Sequence, residues 1–400
     1  MSGDNNARVT HETPLVPRLR PLGTTIFAEM SALATATGAV NLGQGFPDLD
    51  GPRGVAEAAT HAILEGWGNQ YPPGPGIPEL RQAVAAHQKA VYRVDLDPET
   101  EVLVTAGATE ALTAAILAFV DDGDEVVVLE PWFDSYPAAV AMARGVLKGV
   151  RLHAPDFRLD ESALRAAVTD RTRVLLLNSP HNPTGMVLTP DELAAVARVV
   201  EAHPRVVVVT DDVYEHLTFE VAHVPFATLP GMWDRTVAVS SSGKTFSFTG
   251  WKIGWATGPA PLVSAVRTVK QYLTYVSGGP FQYAVAHALT HEMPWVAGLR
   301  RSLQDRRDLL CRGLAAAGLE PVRPDGTYFV TTDISALGWD DDQQFCRALV
   351  ERAGVVAIPC SVFYNPADPV RTLVRWTFTK QDHVLDEAVA RLTAAAPLTP

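Results

Sequence analysis

The chain has 400 residues, 47% of them hydrophobic and 20% charged, and a net charge of −12. That length suits two domains, or one large domain with a lobe, in an ordinary soluble enzyme. The acidic balance, with no basic run against it, argues against nucleic-acid binding, and no stretch of 18 apolar residues predicts a membrane span.

The N-terminus, Met-Ser-Gly-Asp-Asn-Asn, lacks a basic segment followed by an apolar one and does not read as a signal peptide. Residues 1–20 are polar and proline-containing, and read as an arm or a poorly ordered start. Next comes the Gly-rich turn Leu42-Gly-Gln-Gly45-Phe-Pro-Asp48, which allows a close backbone approach to substrate. It does not match a dinucleotide fingerprint. Asn69-Gln-Tyr71-Pro-Pro-Gly-Pro-Gly76 reads as a loop too stiff for a lid, with Tyr71 either a packing aromatic or a phosphate ligand presented across an interface.

Short apolar runs then alternate with helical patterns. Strands are expected at 102–105, 125–129, 173–177, 205–210 and 236–240, with helices at 110–120 and 191–202. Continuous apolar strands separated by helices indicate a mostly parallel sheet covered on both faces. Such sheets carry their sites just past the C-terminal strand ends, where Gly107-Ala108-Thr109, Asn178, Asp211 and Ser241 fall. From about residue 290 the texture becomes that of a smaller α/β lobe. Helices are expected at 295–317 and 341–353 and strands at 326–330 and 373–378, the lobe being joined by a long helix through 263–275. Cys311, Cys346 and Cys360 lack metal-ligand spacing and read as small core residues in a reducing cytoplasm.

The run Ser241-Ser-Gly-Lys244-Thr-Phe-Ser-Phe-Thr-Gly-Trp-Lys252 holds two of only six lysines. It has no Glu or Arg, so it is not a solvated face. A buried lysine with adjacent hydroxyls and a second cation suits pyridoxal phosphate, which presents one aldehyde and one phosphate; the alternative is a structural lysine in a tight loop. In Gly107-Ala108-Thr109 small residues at a helix start suit a phosphate, although many strand–helix turns look the same. Asp211, at the end of an apolar strand, can pair with a ring nitrogen or cap a turn. Asp212 is its rival, and Tyr214 could reach the same face. In Asn178-Ser-Pro-His-Asn182-Pro-Thr-Gly185 two X-Pro steps hold an amide in place, or simply make a turn. Arg375, in an otherwise apolar strand, needs an anion, either an internal carboxylate or a substrate's.

Together these motifs resemble fold-type I, class I aminotransferases, in the same order over residues 15–395. The likeness is carried by Gly43-Gln-Gly-Phe-Pro-Asp48, Asn69-Gln-Tyr71, Asn178 to Gly185, Thr210-Asp-Asp-Val-Tyr-Glu215 and the Lys244 run. Thr25-Ile-Phe-Ala-Glu-Met-Ser-Ala-Leu-Ala34 and Val213-Tyr-Glu-His-Leu217 bring it near kynurenine/glutamine/methionine-type transaminases and, within them, actinobacterial N-succinyldiaminopimelate aminotransferases.

The resemblance implies an α/β pyridoxal-phosphate-dependent transferase of fold type I. Its large domain has a mostly parallel seven-stranded sheet, and a smaller α/β domain accompanies it. The divisions implied are residues 1–50 as arm and part of the small domain, 51–290 as the large domain and 291–400 as the small one. It implies Lys244 as the Schiff-base lysine and Asp211 as partner of the pyridine nitrogen. Asn182 and Tyr214 would bind the ring hydroxyl, with Phe133 stacked on the ring. Ala108, Thr109, Ser241 and Lys252 would hold the phosphate, with Tyr71 from the other subunit of a homodimer. Arg375, Asn182 and the Gly45 backbone would hold the substrate α-carboxylate, and Phe27 and Tyr275 would line the side-chain pocket.

The substrates implied are glutamate and the 2-oxo acid N-succinyl-2-amino-6-oxopimelate. The alternatives are a broad kynurenine/glutamine/methionine transaminase with cysteine-conjugate β-lyase activity, or a specialised biosynthetic transaminase. A succinylated substrate calls for a second cation facing the pocket. Where relatives acting on aromatic substrates carry a histidine near position 276, this chain has Val276-Ser-Gly-Gly279, implying a wider or flatter pocket.

Overall fold

The computed structural model describes residues 14–23 and 25–400, so most of the expected N-terminal arm lies outside the described residues. The strands, in chain order, are β1 (Val40–Asn41), β2 (Val102–Thr105), β3 (Glu125–Glu130), β4 (Val146–Arg151), β5 (Thr172–Asn178), β6 (Val207–Asp211) and β7 (Thr236–Ser241). They continue with β8 (Gly254–Thr257), β9 (Glu320–Val322), β10 (Phe329–Asp333), β11 (Val355–Val356), β12 (Ile358–Pro359) and β13 (Leu373–Thr377).

A seven-stranded sheet has the order β2-β8-β7-β6-β5-β3-β4, and only β8 runs against its neighbours. Its strands β2 and β3 are buried along their whole length, as expected where helices cover both faces. Crossover helices such as Gly107–Phe119 and Pro190–Glu201 supply that cover. The second begins with a capping box: Thr189 accepts from the Glu192 amide, and the Glu192 carboxylate accepts from Thr189 N, satisfying two orphan donors. A four-stranded sheet, β12-β13-β10-β9, is antiparallel throughout. β1 pairs in parallel with β11, so residues 40–41 join the C-terminal part of the chain.

Two expectations change. The helix expected through Val263–Tyr275 spans Ala260–Lys270. There the buried Lys270 ammonium donates to Tyr275 O at 2.5 Å and to Gly74 O at 2.9 Å, turning the chain back. Gly278, at φ +56°, then starts the separate helix Gly279–His291, which is followed by Met293–Ala316. The strand expected from Gly326 begins at Phe329, because Gly326 and Thr327 (φ +65°) form a turn bridged to Thr218. β4 and β8 were not expected; β4 is largely exposed or half-buried, and β8 is only four residues long. Cys346 and Cys360 are buried in the core and Cys311 is half-buried.

Candidate active site

The loops after β2, β5, β6 and β7 converge at one edge of the large sheet around a cavity of about 350 Å³. Its lining includes Phe27, Gly45, Ala108, Thr109, Phe133, Asn182, Asp211, Tyr214, Ser241, Lys244, Lys252 and Arg375, which are residues of both sheets and of the N-terminal segment. Parallel strands place their C-terminal ends side by side, and the register pairs Asn178 with Asp211.

Lys244 stands in a short helical turn, Ser242–Thr245, directly after β7. It is half-buried, and its Nζ lies 5.8 Å from the ring centroids of both Tyr214 and Tyr328. Asp211 ends β6 and is buried. Oδ2 accepts from the Tyr136 phenol at 2.6 Å, while Oδ1 is buried with no partner. Burial raises the Asp211 carboxyl above the usual range; the Tyr136 hydrogen bond, the Val213 amide and nearby Lys244 act against it. Asp212 does not line the cavity: it accepts from Thr210 Oγ1 at 2.5 Å and lies 3.8 Å from His223. Of the two acids, therefore, Asp211 faces the cavity.

The turn at Gly107 brings Ala108 and Thr109 to the start of a helix beside Lys252. Gly107 has φ +76°, and a Cβ there would meet Lys252 Nζ at 3.0 Å. Burial lowers the Lys252 pKa, and Lys244 nearby lowers it further. Free amides at a helix start, a hydroxyl at Ser241 and an ammonium make a phosphate site. The unpaired Asp211 Oδ1 offers an acceptor for a ring N–H. The residues present therefore fit pyridoxal phosphate.

Arg375, on β13, is 1% exposed, and among the described residues no carboxylate lies within ion-pair distance of it. Nη1 donates to Asn182 Oδ1 and Nη2 to Gly43 O, both at 3.0 Å, leaving Nε without a partner. The internal ion pair is thus replaced by neutral anchors, and the cation is free for an incoming anion. Phe27 lies with its ring 5.0 Å from the guanidinium.

Tyr71 and Tyr275 are not part of this cavity. They contact each other edge-on at 5.6 Å and are 81% and 46% exposed. Val276–Gly279 lies on a separate open cavity alongside Gly68–Pro72, which includes Tyr71 but not Tyr275. The cations lining the main cavity are Lys244, Lys252 and Arg375, so the second cation expected for a succinylated substrate is not among the described residues there.

Two contributors, Tyr136 and Tyr328, were not singled out from the sequence, and Asn178, expected at a strand end, has a positioning role. Tyr136 holds Asp211. Asn178 donates to Asp211 O at 2.8 Å and accepts from Asn182 N at 2.8 Å. Tyr328 donates to Gly45 O at 2.6 Å. Tyr136 follows Phe133 by three residues on the same segment, which is the signal that could have found it.

The family described as "Aminotransferase class I and II" matches residues 37–392, and the chain belongs to it. It is a pyridoxal-phosphate-dependent aminotransferase of fold type I. Over 393 residues it is 55% identical to the "Probable N-succinyldiaminopimelate aminotransferase DapC" of Mycobacterium tuberculosis (strain ATCC 25618 / H37Rv), covering 95% of this chain and 98% of that one. It is 42% identical to the "Methionine aminotransferase" of Escherichia coli (strain K12), covering 95% and 98%. The solved structure of N-succinyldiaminopimelate aminotransferase from Mycobacterium tuberculosis superposes with a TM-score of 0.93 at 56% identity, covering 96% of this chain and all of that one.

Proposed function

We propose that this enzyme transfers an amino group from L-glutamate to N-succinyl-2-amino-6-oxopimelate. The observation that supports this is its full-length likeness to an N-succinyldiaminopimelate aminotransferase at 55% identity. Lys244, Asp211 and Tyr214 are the catalytic groups. Pyridoxal phosphate supplies an electrophilic carbon and an electron-withdrawing ring. Asp211 would keep the ring nitrogen protonated, with Tyr136 donating to its carboxylate and Asn178 to its backbone carbonyl. Asn182 and Tyr214 hydrogen-bond the ring hydroxyl, and Phe133 packs on the ring face. Ala108, Thr109, Ser241 and Lys252 bind the phosphate. Arg375, with Asn182 and the Gly45 backbone, orients the substrate α-carboxylate. The Lys244 amine would take the proton from the substrate α-carbon and carry it to the carbon on the other side of the transferring nitrogen. Phe27 and Phe329 flank the Arg375 guanidinium and keep water from it.

Tyr71 and Tyr275, which do not line their own chain's cavity, serve the partner's site in a homodimer. That assignment is supported by their exposure and by exposed Leu64 and Tyr272. Part of residues 1–50 joins 291–400 in the small domain and 51–290 forms the large one, a division that the β1–β11 pairing supports. The enzyme works in the cytoplasm.

A second reading, a broad methionine/glutamine/kynurenine transaminase, is favoured by the absence of a further cation among the described residues lining the cavity. A visible spectrum of the loaded enzyme separates the two. Glutamate should shift the visible band to that of the aminated cofactor. Recovery with the succinylated oxo acid alone supports the first reading; recovery with phenylpyruvate or the methionine oxo acid supports the second.

A further inference from the structure

The segment Gly43–Asp48 crosses the rim of the cavity, and side chains from the C-terminal part of the chain hold its carbonyls. Arg375 donates to Gly43 O at 3.0 Å, Tyr328 to Gly45 O at 2.6 Å, Lys380 to Phe46 O at 3.2 Å and Gln381 to Asp48 O at 3.3 Å. Backbone amides add to this: Thr377 N donates to Leu42 O, and Asp48 N donates to Thr379 O. Arg375 and Tyr328 stand in or beside the cavity. Lys380 grips the segment from behind.

Lys380 is 6% exposed, unusual for a lysine, and its Nζ lies 5.0 Å from the Phe46 ring centroid. Phe46 itself is half exposed and lines the cavity. Asp48 Oδ1 is buried nearby without a hydrogen-bond partner. Among the described residues this buried ammonium makes no ion pair, with the Asp48 carboxylate acting on it only from further off, and its donor and its cation–π contact both go to one rim residue.

We propose that Lys380 is a positioning residue for the amino-acid site, fixing Gly45 and Phe46 at the cavity rim from outside. The proposal rests on the cavity being the amino-transfer site. Lys380 touches neither the phosphate turn nor Lys244, so its loss should loosen substrate binding and spare the cofactor.

The test compares Lys380→Met, Lys380→Arg, Phe46→Ala and the Met/Ala double variant in the loaded enzyme. Wild-type turnover with glutamate tests the site itself. For Lys380, we expect the methionine variant to raise KM for donor and acceptor about tenfold, with kcat within threefold and the pyridoxal phosphate dissociation constant unchanged. Arginine, which keeps the donor and charge, should restore KM to within threefold of wild type. In the double variant the lysine's loss should add less to KM than it does in wild type, because the alanine removes the ring contact but keeps the carbonyl that Lys380 holds. An unchanged KM in the methionine variant overturns the proposal, as does a parallel fall of kcat, KM and cofactor affinity, or additive effects in the double variant. If the methionine variant does not fold, Phe46→Ala decides: it must raise KM with the cofactor retained, and an unchanged KM overturns the proposal.

Discussion

Tyr136 donates a hydrogen bond to Asp211 Oδ2 at 2.6 Å, and both residues are buried. One oxygen of the carboxylate is thereby committed to the protein, while Oδ1 is buried with no hydrogen-bond partner among the described residues, on a residue that lines the cavity. Asn178, paired with Asp211 in the sheet register, donates to the Asp211 carbonyl and fixes the strand end. The acid is therefore aimed by two neighbours that do no chemistry themselves.

Replacing Tyr136 by Phe removes one donor from Asp211 without opening a cavity. A hydrogen bond to a charged group is worth roughly 1.5–3 kcal/mol, so kcat should fall by about tenfold to a hundredfold. Tyr136 lowers the Asp211 pKa, so its loss raises it, and the acid limb of the kcat–pH profile should move to higher pH. An unmoved acid limb would show that Tyr136 does not tune the acid.

Lys244→Ala should abolish turnover, since a positioned proton carrier contributes about 10²–10⁴-fold and in the proposed mechanism this lysine is also the covalent anchor. The purified variant should lack the visible band of lysine-bound cofactor. Substantial residual transamination would remove Lys244 from its role.

Arg375→Lys keeps the charge but loses the fork that meets a carboxylate with two N–H groups. It also loses one or both anchors to Asn182 and Gly43. We expect kcat/KM for glutamate to fall by roughly 30- to 150-fold, corresponding to about 2–3 kcal/mol. Steady-state kinetics with glutamate and an uncharged analogue of its α-carboxylate check this. The analogue's disadvantage should shrink in the variant, because the fork is lost while the charge stays.

Gly254 begins β8 against the phosphate turn, where a Cβ would lie 2.7 Å from Gly107 C and 2.8 Å from Ala108 N. Backbone cannot move aside as a side chain can. Gly254→Ala should therefore cost about 1–3 kcal/mol of stability and weaken cofactor binding together. Denaturant midpoints and pyridoxal phosphate titration measure both. Full cofactor affinity in a destabilised variant would separate β8 from the phosphate turn.

The strands and the four loops at their C-terminal ends were legible because buried parallel strands are continuous apolar runs, which sequence shows directly. Lys244, Asp211 and Arg375 stood out as polar residues in apolar or small-residue settings. Tyr136 did not, since an aromatic in an apolar helix, Ser135–Ala143, reads as core until the strand end opposite is known. The Asp211/Asp212 choice was open for a similar reason: adjacent residues at a strand end face opposite sides, and only the sheet fixes which side holds the cavity. The break after Lys270 depended on a lysine–carbonyl contact to Gly74, far away in sequence.

On the far side of β6, His87, His216 and His223 surround Glu215 and Asp212 near Tyr92. Burial pulls His87 and His223 down to about 4 and the separate, buried His181 down to about 3; it lowers His216 as well. Unfolded histidines take up protons near pH 6.5, whereas these folded ones do not until far lower. Stability is then complete above about pH 6.5 and is lost as pH falls toward 4, at roughly 1.4 kcal/mol per pH unit for each histidine. Glu215, whose pKa is lowered, adds loss of the same sign, while Asp212, raised by burial, works against it. The difference between wild type and His223→Leu reports this histidine together with its coupling to Glu215 and Asp212. Urea midpoints at pH 7 and pH 5 should show the wild type losing more stability than the variant on acidification. Equal losses would mean that His223 takes up its proton in the folded protein.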